Sequence, residues 1–154
     1  MSDDDEALPR ILRLPLLIRR EEVLHFLGYP EGRTPPRRVA ARIDEALTEA
    51  RGLAAGKGAY KHLPVEEATA FGLEPIAASG LVIGLVTVGG AIERRVADHL
   101  ESGDATAALL LDAAGSAAAE EAADHLCAVV ASSNPDDRTN APTMTNSPTG
   151  HRAD

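Results

Sequence analysis

Between Arg19 and Tyr29 the chain reads RREEVLHFLGY, which puts Val23, Leu24 and Leu27 on one side of a short helix. Gly28 and Pro30 end it. The next helix is predicted to open with Thr34 as its N-cap and Pro35 in its first turn, where a missing N–H costs little. Val39, Ile43 and Leu47 recur every four residues and Ala46, Ala50 and Leu53 widen the stripe, so one face of this helix seeks a core. Gly56 and Gly58 close it.

The period then changes. Residues Ala59 to Val65 (AYKHLPV) read as a short extended segment, and Pro64 near its end argues for an edge strand. Glu66 to Gly80 holds turn formers and little periodicity, whereas Leu81 to Val88 (LVIGLVTV) is almost continuously apolar and β-branched, the pattern of a buried strand. Gly84 within it marks a bulge or a close backbone approach. Gly89 and Gly90 turn the chain into a helix over Ala91 to Glu101, buried through Ile92, Val96 and Leu100. Ser102 or Asp104 caps a last, alanine-rich helix over Ala105 to Ala131, with Leu111, Gly115, Ala118, Ala122 and Val129 on one side. Its small residues permit close approach of neighbouring backbones. The elements together predict an α+β domain: N-terminal helices, a small antiparallel sheet and two helices packed on one face. Residues 1–18 form an acidic leader and extended segment, 19–131 the domain, and 132–154, rich in Ser, Asn, Pro, Thr and Asp, a disordered tail.

Composition narrows the function classes. A chain of 154 residues holds one domain with a real core, and with 44% hydrophobic residues but only 3% aromatics that core is built from Leu, Val, Ile and Ala. A formal charge of -9 disfavours nucleic acid and anionic membrane surfaces as partners. The single cysteine, Cys127, forms no internal disulfide, in keeping with a reducing, cytoplasmic setting. The run from Ile11 to Ile18 is broken by Arg13 and Pro15 and does not read as a signal peptide, and no stretch is long and apolar enough to predict a membrane span.

Three stretches, taken in order, carry a resemblance. They are EVLHFLGY (Glu22 to Tyr29), RIDEALTEARGLAAGKGAYKHLPV (Arg42 to Val65) and LVTVGGAIERRVADHLESGDATAALLLDAAGSAAAEEAADHLC (Leu85 to Cys127). The set resembles the activation domain of vitamin B12-dependent methionine synthase in its short, stand-alone form, over Arg20 to Val129. The resemblance implies a partial version of that fold and an accessory role in methionine biosynthesis. Relatives bind the cobalamin domain of the methyltransferase and present S-adenosylmethionine, so that oxidised cobalt is reduced and methylated back into the cycle. It implies S-adenosylmethionine as a ligand, cobalamin carried by the partner, and a flavodoxin-like electron donor. The family's next feature, an Arg followed by a Pro-Gly-Tyr turn that holds S-adenosylmethionine, does not occur in this sequence. A second chain would then complete the site, and tight binding by this chain alone is not expected. The family's intact fold also has further strands from its C-terminal part, so an open sheet edge is expected, with a partner, a homo-oligomer or marginal stability as its consequence. The alternative is a non-catalytic remnant or interaction module that has lost cofactor binding.

By the same resemblance the candidate cofactor-binding residues are Asp112, Ser116 and Glu120, which project from adjacent turns of the last helix. A carboxylate there would meet an ammonium or sulfonium group. The competing reading is an ordinary solvated stripe, which Asp124 continues. The turn Thr87 to Ala91 (TVGGA) lacks both GxGxxG and a GK[ST] ending, so it reads as a tight connection needing positive φ rather than a phosphate nest. His25, His62, His99, His125 and His151 show no paired metal-ligand spacing. Cys127 has no activating partner, since His125, two residues away on a helix, points elsewhere. No catalytic residue is assigned.

Overall fold

Three extended segments build a sheet, and the alanine-rich helix supplies the surface that closes it. A computed structural model describes residues 9–70, 72 and 80–133. The elements are β1 (Arg10–Arg13), α1 (Arg20–Phe26), α2 (Arg37–Leu53), β2 (Lys57–Pro64), α3 (Val65–Ala70), β3 (Gly80–Thr87), α4 (Ala91–Glu101) and α5 (Ala105–Ser133). The architecture is α+β, with an antiparallel sheet in the order β1-β2-β3. No helix among the described residues is long and apolar enough to cross a membrane.

The register fixes two faces. Leu12, Gly58 and Val86 share one row, on the inner face; Ile11, Ala59 and Leu85 share the next, on the outer face. Helix α5 lies against β2 and β3 on the inner side and also packs against α1, α2 and α4. Its Leu126 enters a notch made by two glycines. A Cβ at Gly84 would stand 2.8 Å from Leu126 Cδ2, and one at Gly58 would stand 3.2 Å from its Cδ1. Gly84 therefore marks a close approach and not a bulge, since pairing runs one to one from Gly80 to Thr87. Ile18, Val23, Ile43 and Leu111 are fully enclosed, and Ala114, Ala118 and Ala122 let the surrounding helices come close to α5.

Several elements differ from the sequence expectation, each for a local reason. The segment assigned to a leader and extended stretch supplies β1, and its Leu14 and Ile18 enter the core. Thr34 does not cap α2: the N-cap residue is Pro36, whose carbonyl accepts from the Val39 and Ala40 N–H groups without a side-chain bond. Strand β2 is central, not an edge, because Pro64 stands at its last position, where a missing N–H interrupts nothing. A short helix, α3, occupies the start of the stretch expected to be turns, and it folds back against β2 and β3. β3 is not buried on both faces: it is terminal in the described sheet, with Leu85 74% and Ile83 49% exposed on the outer side. In α4, Ile92 is buried and Val96 half-buried, but Leu100 is 57% exposed. Helix α5 continues two residues further than expected, to Ser133, and the Ser132 and Ser133 hydroxyls donate back to the Ala128 and Val129 carbonyls at 2.8 and 2.9 Å. The rest of the expected tail, 134–154, lies outside the described residues.

Candidate functional site

Strand β3 leaves the sheet through Thr87 and Val88, and the chain reverses at Gly89, whose φ of 81° falls in the left-handed region. The Gly89 N–H donates to Thr87 Oγ1 at 3.1 Å. That donor is satisfied within the turn, which suits a tight connection better than an anion nest. Helix α4 then starts, and its Ile92 seats against Gly115 of α5, where a Cβ would stand 3.0 Å from Ile92 Cγ2. Beside this contact lies an open cleft of about 290 Å³. One wall is Val88, Ile92, Glu93 and Val96; the other is Asp112, Gly115, Ser116 and Ala119.

Two of the three predicted site residues meet here. Asp112 and Ser116 line the cleft, Asp112 exposed and Ser116 half-buried. Glu120 is exposed and does not line it. Helix geometry explains the split: each step of four residues advances about 40° around the axis, so the line from Asp112 drifts out of the cleft by Glu120. Ala119, seven positions after Asp112, returns to within about 20° and does line it. Asp124 continues the drift and is exposed. Sequence reasoning missed Glu93, which faces Asp112's wall from the first turn of α4. Its signal was position, as an acid immediately after buried Ile92 and the Gly-Gly turn.

The cleft has an apolar floor from Val88, Ile92 and Val96, two carboxylates on opposite walls and one hydroxyl. Such a lining accepts a small cationic group attached to an apolar or aromatic body. Among the described residues no hydrogen bond joins the Ser116 hydroxyl to a base, and Asp112 and Glu93 form no hydrogen-bonded pair. Among the described residues no group of three His, Cys, Asp or Glu side chains could hold a metal ion. Cys127 is half-buried near the end of α5.

A charged clamp sets the angle of α4 against the rest. Glu49 of α2 accepts from Arg95 Nε and lies 3.2 Å from His99 Nε2, joining α2 to α4. The Arg95 guanidinium, then the His99 ring, hold the Glu49 carboxyl below its usual range against the opposing effect of burial. About two turns earlier on α2, Arg42 Nη2 donates to both oxygens of Asp104 at 2.8 and 2.7 Å. Asp104 Oδ1 also accepts from the Ala107 N–H at 2.9 Å, capping α5 as the sequence suggested. Arg42 first, and the Ala107 N–H second, lower the Asp104 carboxyl.

On another side of α5, Glu121 Oε1 accepts from the Leu17 N–H at 2.9 Å and so ties down the segment between β1 and α1. Its Oε2 and the His125 Nδ1 are enclosed without a partner among the described residues. Compared with family models and with curated proteins, the chain matches none.

Proposed function

We propose that the chain is an accessory, activation-type domain for cobalamin-dependent methionine synthase, holding S-adenosylmethionine for reductive methylation of a corrinoid carried by the partner. The observation that supports this reading is the cleft in which Asp112 and Ser116 come together with Glu93 over an apolar floor. S-adenosylmethionine carries an ammonium and a sulfonium for the carboxylates and an adenosyl group for the apolar surface. The volume of about 290 Å³ is at the small end for a drug-sized ligand, where pockets run about 300–1,000 Å³. Part of the ligand would project, to be covered by the partner. In that scheme the cofactor supplies the methyl chemistry and this chain supplies binding and orientation. A flavodoxin-like donor provides the electron, and a cytoplasmic setting goes with the role.

Isothermal titration with S-adenosylmethionine, with and without a cobalamin-loaded methionine synthase fragment, tests the reading. Heat is expected with the fragment present, with affinity weakened several-fold by Asp112→Ala and left unchanged by Glu120→Ala. No heat in either setting contradicts it.

One observation favours a second reading, an interaction module without a cofactor. The cleft lining includes no Lys or Arg to take the carboxylate of an amino-acid ligand. Binding of the synthase fragment with no S-adenosylmethionine heat would select this reading.

A further inference from the structure

The three-stranded sheet ends on β3, and no described residue pairs with that strand's second edge. An unpaired edge carries a row of N–H and C=O groups that another strand can take up, and proteins usually guard such edges with charge, Pro or a bulge. β3 has none of these. It holds no charged residue and no Pro, and its pairing with β2 is unbroken from Gly80 to Thr87. In the sequence no charged side chain occurs between Glu74 and Glu93. On the outer face Ile83 and Leu85 are exposed; Leu85 continues the apolar row of Ile11 and Ala59, and Ile83 stands opposite Lys61 of β2.

We infer that β3 pairs edge to edge with β3 of a second copy of this chain, making one continuous six-stranded antiparallel sheet. The occupant follows from what the edge lacks. A chain with a formal charge of -9 would show a basic partner an acidic surface, but this strand has no charge with which to select one. It is, however, complementary to itself. A two-fold axis perpendicular to the sheet pairs outward residues with outward residues, provided that it passes through a residue and not between two. Centred on Gly84, it sets Ile83 opposite Leu85 and Val82 opposite Val86 of the other copy. Centred on Ile83, it sets Leu81 opposite Leu85. Either register joins only uncharged side chains at the junction and keeps both α5 helices on the inner side.

Sedimentation and light scattering on the full chain, from micromolar to millimolar, test the pairing. The expected species has twice the 16.1 kDa chain mass. Leu85→Lys, at a position 74% exposed, should keep the circular dichroism of the fold and raise the dimer dissociation constant at least about tenfold, and Ile83→Lys should do the same. Ile11→Lys, on the same face but at the far edge and 77% exposed, should leave the dimer intact. A monomer at millimolar concentration overturns the inference, as does a dimer indifferent to both β3 lysines. Dissociation by Ile11→Lys to the same extent also overturns it, because that result describes two sheets stacked face to face.

Discussion

The two faces of the sheet are made from the same strands, yet they differ in nearly every physical respect. On the inner face Gly58 and Gly84 lie under Leu126, Val86 packs on the core, and Tyr60 is buried with its hydroxyl 3.4 Å from the Ser133 Oγ. On the outer face Ile11 and Leu85 stand in solvent, and burial resumes only at Leu63, where α3 folds back against β2 and β3. Because every residue of β3 is apolar, glycine or threonine, its composition does not record this difference. Within β3 the inner positions Val82, Gly84 and Val86 are smaller than the outer positions Leu81, Ile83 and Leu85, and the glycine is where α5 comes close.

Substitutions on the two sides sharpen the contrast. Leu111→Ala removes a fully enclosed side chain and should cost about 2–5 kcal/mol by urea unfolding, whereas Leu109→Ala, two residues away and exposed, should stay within about 0.5 kcal/mol. On β3 itself, Gly84→Val pushes a branched side chain into Leu126 and should cost about 1–3 kcal/mol. Leu85→Thr, its neighbour on the open face, should again stay within about 0.5 kcal/mol in dilute solution. Equal losses at Gly84 and Leu85 would break the comparison.

The charged clamp on the inner side adds a smaller, pH-dependent effect. The Glu49 and Asp104 carboxyls titrate lower in the folded chain than in the unfolded one. Their ion pairs therefore contribute fully above about pH 4.5, the unfolded value for Glu49, and the contribution is lost as pH falls through the folded values. Denaturation midpoints should drop through that acid range, with a shallower drop in Glu49→Gln and in high salt. An acid profile unchanged by Glu49→Gln would remove the clamp from the account.

Helix periodicity carried most of what was legible in the sequence. The buried stripe Ile43, Ala46, Leu47 and Ala50 of α2 and the start of α4 after Gly89 and Gly90 follow directly from local pattern, and the α5 cap is Asp104, one of the two residues that pattern offered. Strand neighbours were not legible, because pairing is a long-range choice: Pro64 suggested an edge, but a proline at a strand's last residue leaves the ladder beside it intact. Leu100 shows the complementary limit, since a helical stripe says which side is apolar and not how far along it the partner extends. At the candidate site a four-residue spacing brought Asp112 and Ser116 to one cleft but carried Glu120 past it, and the position of Glu93 after the Gly-Gly turn did not show which wall of another helix it would face.

The cleft between α4 and α5 is the centre of the functional proposal, and amide chemical shifts followed during titration with S-adenosylmethionine, in the presence of the cobalamin-loaded synthase fragment, test it most directly. Shifts are expected to concentrate at Val88, Glu93, Asp112 and Ser116, with the β3 residues Ile83 and Leu85 unmoved. Shifts confined to the sheet, or none at all while the fragment is bound, would contradict it.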